Sequence, residues 1–131
     1  MILVDTSAWV EYLRATGSPT HHRLRQLIAQ DADLVTTDVV VMEILAGART
    51  DERMRQLRRL LNRFDLLPVA GLVDFEAAAD IYRRCRRGGE TVRKLTDCLI
   101  AAVALRGHAE LLHCDRDFEV IARHAPLRVL A

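Results

Sequence analysis

Short apolar runs alternate along the chain with longer segments whose apolar residues recur at helical spacing. The short runs are Ile2–Val4, Leu34–Thr36, 66–69, 111–113 and 127–130. Runs of this length without polar alternation are typical of parallel strands that are buried on both faces. We therefore predict an α/β fold, a three-layer sandwich in which helices flank a short-stranded, mainly parallel central sheet.

Polar caps and glycines mark the predicted helices. The first helix is capped by Thr6 and Ser7, and the second starts at Pro19. The third is capped by Asp38 and ends at Gly47, and the fourth starts at Thr50 and Asp51. The remaining three helices cover 74–87, 97–106 (capped by Thr96) and 117–123. Prolines and glycines are scattered and no linker interrupts the pattern, so we expect one domain over residues 1–131. Sheets of this kind bind ligands at the carboxyl ends of their strands.

Composition excludes several classes of protein. The chain has 131 residues, 50% of them hydrophobic and 28% charged, with a formal net charge of +1, which is not the balance of a disordered chain. No apolar run reaches the length of about 18 residues that a membrane helix needs. The three cysteines form no CxxC pair and fit a reducing compartment, so we expect a cytoplasmic protein without a zinc site.

Two acidic residues follow predicted strands. Asp5 comes directly after Ile2–Val4, and Asp115 follows the run 111–113 after one intervening residue, Cys114. Both positions lie at the carboxyl edge of the predicted sheet. For either residue taken alone, a helix cap or a turn residue is the favoured interpretation, because aspartate is common in both roles.

Two further carboxylates share helices with apolar residues. Glu43 lies in the segment 39–46, which is apolar all round and is therefore expected to be buried on most sides. Asp97 falls on the same stripe of its helix as Ile100 and Leu105. A buried carboxylate is costly unless it is paired or bound to a metal, so an arginine partner for Glu43 and a simple helix-terminal role for Asp97 remain the alternatives.

If the four acids converge, their mutual repulsion calls for a cation. Carboxylate oxygens suit Mg²⁺ or Mn²⁺, with Asp5, Asp97 and Asp115 as predicted ligands and Glu43 as a further catalytic acid. Thr6, Ser7, Thr96 and Asp117 are candidates for supporting hydrogen bonds. Ions held in this way typically act on phosphate esters, and the chain has no GxxxxGK[ST] loop, so phosphodiester hydrolysis is the favoured reaction.

The ordered set of motifs resembles a PIN domain, and more narrowly a VapC toxin of a VapBC toxin–antitoxin pair. These motifs are Asp5-Thr6-Ser7, Glu43, Thr96-Asp97 and Asp115-Arg116-Asp117-Phe118, and the resemblance covers nearly the whole chain. It implies a Mg²⁺- or Mn²⁺-dependent endoribonuclease that cuts structured RNA such as tRNA or rRNA. It also implies a small cognate antitoxin as partner, assembly as a homodimer, and Asp5, Glu43, Asp97 and Asp115 as the acidic quartet. His113 departs from the threonine found at that position in many relatives.

Basic residues near the predicted site are candidates for binding RNA. Arg86, Arg87, Arg93 and Lys94 precede Asp97, and positive charge there would offset the repulsion between RNA and the acids. The alternative for such a cluster is a solvated helix face.

Other functions remain as rivals. A haloacid-type phosphatase needs a second aspartate where Ser7 stands, and a phospho-receiver domain needs an acidic pair after its first strand, where only Asp5 is present. The non-enzymatic alternative is an α/β interaction module whose buried acids pair with arginines.

Overall fold

The structure is a computed structural model that describes residues 1–130 of the chain. Its strands are β1 (Ile2–Val4), β2 (Leu34–Thr36), β3 (Asp65–Leu66) and β4 (Glu110–Leu112). Its helices are α1 (Thr6–Leu13), α2 (Pro19–Ala29), α3 (Asp38–Ala46), α4 (Asp51–Leu61), α5 (Leu72–Arg87), α6 (Leu95–Arg106) and α7 (Arg116–His124).

The four strands form one parallel sheet in the order β3-β2-β1-β4. Val4 pairs with Leu112, so the carboxyl ends of the two strands β1 and β4 lie side by side. The predicted last strand, 127–130, contributes only an isolated parallel bridge between Leu111 and Val129. The predicted α/β fold with a parallel sheet and flanking helices is confirmed.

Helix α6 lies in the core of the molecule. Every residue from Asp97 to Ala104 is buried, and the helix packs against α3, α5 and α7. Small and branched apolar side chains such as Ala101 and Val103 allow this close approach on all sides. The same burial carries Asp97 into the interior, since it is the third residue of the helix.

Three predicted helix caps are wrong by one or two residues. Asp5, rather than Thr6 or Ser7, is the N-cap of α1, because its backbone is extended and its side chain accepts from the N–H two residues on. Thr37 holds that position before α3, so Asp38 is already helical. Lys94 precedes α6 with extended backbone, which places Thr96 inside the helix.

The third strand ends earlier than predicted. It stops at Leu66 instead of continuing to residue 69, because Pro68 has no N–H to donate and the N–H of Val69 donates to Asp38 Oδ1 (3.0 Å) outside the sheet. Helix α3 is also less enclosed than its apolar sequence predicts. Its Met42 is 59% exposed and Glu43 is half-buried, so the rest of residues 1–130 covers that side of the helix only in part. Within residues 1–130, no helix has the length and apolar character needed to cross a bilayer.

Candidate metal centre

The carboxyl edge of the sheet brings the turns after β1 and β4 together. The backbone N–H of Asp5 donates to the carbonyl of Leu112 (2.9 Å), which extends the pairing of the two strands by one bond. The turn after β4 leads into Asp115, the N-cap of α7. The parallel sheet thus places two acidic turn residues at one edge, as the sequence predicts.

Asp5 is 3% exposed, and only one of its two carboxylate oxygens has a hydrogen-bond donor. Its Oδ2 accepts from the Ser7 N–H (2.9 Å) and the Ser7 hydroxyl (2.5 Å), whereas its buried Oδ1 has no partner among residues 1–130. Burial raises the pKa of Asp5 above its ordinary value; the bonds from Ser7 lower it in part, and the nearby charge of Glu43 raises it again. Ser7 Oγ also accepts from the Cys114 N–H (2.8 Å), which ties the two turns together.

Asp97 is 2% exposed and stands at the start of the core helix α6. Burial, together with a hydrogen bond to Asp117 and the charge of Asp5, raises its pKa to about 8. Its buried Oδ2 has no hydrogen-bond partner in the part of the chain that the structure describes. An unpartnered carboxylate oxygen in the interior costs free energy, so an incoming cation would gain from it.

Asp115 and Asp117 complete the cluster from the first turn of α7. Asp115 Oδ1 accepts from the Asp117 N–H (2.9 Å). Oxygens of Asp97, Asp115 and Asp117 lie within 4.8 Å of one another. Burial alone would raise the pKa of Asp117, but hydrogen bonds from Asp97 and from the N–H groups of Arg93 and Lys94 lower it.

Glu43 approaches the cluster from the other side of Asp5. Its Oε1 accepts from the Thr6 hydroxyl (2.8 Å), and its charge acts on Asp5. Among residues 1–130, the group of acids whose oxygens share a 4.8 Å neighbourhood is Asp97, Asp115 and Asp117, without Asp5 or Glu43. Of the predicted quartet, Asp97 and Asp115 therefore belong to a tight group at the starts of α6 and α7. Asp5 and Glu43 form an outer pair beside α1 and α3.

Two of the four predicted RNA-binding residues are bound to acids. Arg93 donates through Nη2 to Asp115 Oδ1 (2.9 Å) and through Nε to Asp117 Oδ1 (3.2 Å). The Lys94 ammonium lies 3.4 Å from Asp115 Oδ2 and 3.8 Å from Asp97 Oδ2. Both side chains remain more than half exposed. The signal for this pairing is the spacing of Lys94 and Asp97, which is i, i+3 across the start of a helix.

The other two basic candidates lie at the carboxyl end of α5. Arg86 and Arg87 are exposed, and the Arg86 guanidinium lies 5.7 Å from the centre of the Tyr82 ring. Their role in RNA binding stays a prediction. His113, the departure noted in the sequence, accepts from the Asp115 N–H through Nδ1 (3.1 Å), and burial lowers its pKa. Its ring thus supports the Asp115 turn.

The donor set fits a hard divalent cation. All the clustered donors are carboxylates, and within residues 1–130 the two buried carboxylate oxygens without partners belong to Asp5 and Asp97. Arginine neutralises Asp115 and Asp117, but within the described residues neither Asp5 nor Asp97 is paired with a guanidinium. The arrangement therefore leaves net negative charge and free oxygen ligands at the sheet edge.

One buried acid that sequence reasoning did not assign is structural. Asp74 is 2% exposed and binds the Arg106 guanidinium (3.0 Å) and the Ala70 N–H (2.7 Å). This pair fastens the start of α5 to the end of α6. The non-enzymatic alternative predicts that every buried acid has an arginine partner of this kind.

Comparisons with known proteins agree with the predicted fold and family. The family model for the PIN domain matches residues 2–124, so the chain belongs to the PIN-domain family. Within that family it is similar to VapC ribonucleases. It is 52% identical over 124 residues to Ribonuclease VapC11 of Mycobacterium tuberculosis, which covers 94% of this chain and 92% of that protein. VapC ribonuclease Mb1587 of Mycobacterium bovis matches with the same identity and coverage. The resemblance seen in the sequence is confirmed.

Solved structures share the same fold. VapBC-1 from nontypeable Haemophilus influenzae matches with a TM-score of 0.75 and 19% identity, covering 99% of this chain and 97% of that one. VapBC2 from Rickettsia felis, bound to a DNA fragment from its promoter, matches with a TM-score of 0.74 and 16% identity, covering 99% and 98%. At these identities the likeness is one of fold.

Proposed function

We propose that this chain is the toxin of a type II toxin–antitoxin pair, an endoribonuclease that uses Mg²⁺, or Mn²⁺ in its place, to hydrolyse structured RNA such as tRNA or rRNA. The observation that carries the proposal is the set of buried carboxylates at the sheet edge, two of which keep an oxygen without a partner. Similarity to VapC ribonucleases over most of the chain supports the same reaction.

The acidic residues divide into metal ligands and supporting residues in the proposed mechanism. Asp5, Asp97 and Asp115 would hold the ion, and Glu43 would act beside Asp5 directly or through water. The ion would polarise the scissile phosphate and lower the pKa of the attacking water. In-line attack of that water on phosphorus would break the bond to the 3′-oxygen and leave a 5′-phosphate and a 3′-hydroxyl. Asp117 would position the cluster, because its carboxylate accepts the Lys94 backbone N–H and so fixes the start of α6.

Partners follow from the same proposal. VapBC-5 from Mycobacterium tuberculosis, which shares the fold of this chain, is a member of the VapBC family of toxin–antitoxin systems. We propose that a small cognate antitoxin neutralises this chain in the cytoplasm. We also propose that the 131 residues form one domain and that two copies form a homodimer. Exposed apolar side chains on α5 and α6 are the kind of surface that a dimer covers, namely those of Leu72, Val73, Phe75 and Leu95.

A second function is supported by a single observation. Arg93 binds both Asp115 and Asp117, which is the pairing expected of a non-catalytic interaction module. Titration with Mn²⁺ separates the two functions, because only the nuclease gains thermal stability from the ion.

Cleavage of RNA with matched carboxylate variants tests the proposal. We expect Asp5→Asn and Asp97→Asn each to lower the cleavage rate by at least about 100-fold, since each removes one charged ligand. The control is Asp80→Asn, which changes an exposed carboxylate on α5 that pairs with Arg84. It should cleave like the unmodified chain, and circular dichroism should show that all three variants are folded.

Removal of the metal completes the test. Excess EDTA should stop cleavage, and added Mg²⁺ should restore it. Full activity in EDTA, or full activity of Asp5→Asn, would contradict the proposed mechanism.

A further inference from the structure

Lys94 is the one lysine in the sequence, and its ammonium group lies among the acids of the candidate metal centre. Its Nζ is 3.4 Å from Asp115 Oδ2 and 3.8 Å from Asp97 Oδ2. The latter is the buried oxygen that lacks a hydrogen-bond partner. A positive charge of the chain itself thus faces the two oxygens that a metal ion would use.

The backbone and the side chain of Lys94 are held very differently. The Lys94 N–H donates to Asp117 Oδ2 (3.2 Å), and the preceding N–H, of Arg93, donates to Asp117 Oδ1 (3.2 Å). The main chain is therefore fixed at the start of α6. The Lys94 side chain is 52% exposed, and its ammonium is joined to the fixed backbone by a flexible chain of four carbons. The ammonium can leave the cluster for solvent without any change in the fold.

Arg93 contacts a different set of carboxylate oxygens from Lys94. Its guanidinium binds Asp115 Oδ1 and Asp117 Oδ1, which are not the oxygens that face Lys94. Asp115 is consequently divided between two cations, one on each oxygen. Arg93 can stay in place while a metal ion binds, whereas Lys94 and the ion compete for the same oxygens.

The geometry points to Lys94 as a tethered counter-ion of Asp115 whose ammonium occupies the space between Asp97 and Asp115 in the metal-free protein and is displaced when the divalent ion binds. The inference rests on the metal site of the proposed function. Lys94 is then a positioning residue, acting through the metal ligands, and it sets how tightly the ion binds. Its removal weakens the metal-free cluster and strengthens ion binding, because the ion no longer has to displace a bound cation.

Calorimetric titration with Mn²⁺ tests this directly. We expect Lys94→Gln to bind Mn²⁺ about tenfold more tightly than the unmodified chain, the effect of removing one like charge from a partly exposed site. Lys94→Arg, which keeps the charge, should bind nearly as the unmodified chain does. Arg25→Gln removes an equal charge from the exposed face of α2 and should leave the affinity unchanged.

The outcomes separate the two proposals. If the unmodified chain binds Mn²⁺ and Lys94→Gln binds it equally or less tightly, the counter-ion role is wrong and the metal site stands. If the unmodified chain binds no Mn²⁺, both are wrong. Thermal melting in EDTA should confirm that Lys94→Gln is folded, with a lower midpoint than the unmodified chain.

Nuclear magnetic resonance provides a second readout that does not depend on activity. Because the chain has one lysine, its side-chain Cε and Nζ signals are unique once that lysine is labelled with ¹³C and ¹⁵N. Added Mg²⁺ should shift these signals and sharpen them as the ammonium becomes mobile, over the same concentration range as ion binding. Signals that stay unchanged at saturating Mg²⁺ would overturn the inference.

Discussion

Replacement of Asp97 by asparagine should stabilise the metal-free protein at neutral pH although it destroys a proposed metal ligand. Asp97 is buried, and its pKa is raised from 3.8 to about 8. Between these two values the folded protein keeps a proton that the unfolded chain has lost. The free energy of unfolding therefore falls as the pH rises from about 4 to about 8, and it is independent of this group above and below that window. Asparagine has no proton to exchange and avoids this loss.

The size of the effect follows from the pKa difference. One pKa unit corresponds to about 1.36 kcal/mol, so the roughly three units between 3.8 and pH 7 set a ceiling of about 4 kcal/mol. Asparagine recovers only part of it, because its amide replaces the stronger hydrogen bond between the protonated acid and Asp117. We expect a gain of about 2 kcal/mol at pH 7, or roughly 8 °C in melting temperature for a chain of this size.

Urea denaturation in EDTA at pH 4, 6, 7 and 8 measures this gain. At pH 4, where the linkage loss is still small, Asp97→Asn should be less stable than the unmodified chain by about 1–2 kcal/mol, because it lacks the hydrogen bond from the protonated acid to Asp117. The difference should then change in favour of the variant as the pH rises, until about pH 8. Asp80→Asn, on the surface of α5, provides the control and should show no such change. A variant that is less stable than the unmodified chain at pH 7, or a difference that does not change with pH, would refute the reasoning.

Two further variants test how the elements around the site are joined. Ser7→Ala removes the hydroxyl that links Asp5 Oδ2 to the Cys114 N–H, and urea denaturation should show a loss of about 1–2 kcal/mol; an unchanged midpoint would mean that water replaces the link. Arg106→Ala leaves the buried carboxylate of Asp74 unpaired and should cost about 2 kcal/mol at pH 7. Burial raises the pKa of Asp74, but the hydrogen bond from Arg106 lowers it below its ordinary value of 3.8. The stability that the Arg106 pair contributes should therefore disappear as the pH falls below 3.8 and Asp74 becomes protonated. If Arg106→Ala costs as much at pH 2.5 as at pH 7, the ion pair is not the cause.

The fold was predictable because its strands are short, apolar and separated by helices with clear polar starts. Helix starts were less predictable, since aspartate, threonine and serine can all cap and stand next to one another at residues 5–7. The structure shows that Asp5 is an N-cap and that its charge also acts on Asp97. The two interpretations of Asp5 in the sequence were therefore compatible.

For the candidate site, the burial of side chains was partly predictable from the sequence, and their contacts were not. Burial of Asp97 follows from its place on an apolar helix, but the half-burial of Glu43 depends on which side of α3 other elements cover. The sequence pattern of α3 does not show which of its sides other elements will cover. Lys94 was predicted to meet RNA because it is basic, whereas its contact with Asp115 depends on how α7 packs beside α6. Ion pairs between distant segments are set by tertiary structure, which a single sequence does not display.

Anomalous X-ray diffraction from crystals soaked in millimolar Mn²⁺ tests the central claim most directly. We predict at least one anomalous peak within coordination distance of Asp97 and Asp115, on the side where Asp5 Oδ1 lies without a partner, with the Lys94 side chain turned out to solvent. The same soak of Asp97→Asn crystals should show a much weaker peak or none. Saturating Mn²⁺ that leaves no peak among these carboxylates would contradict the account.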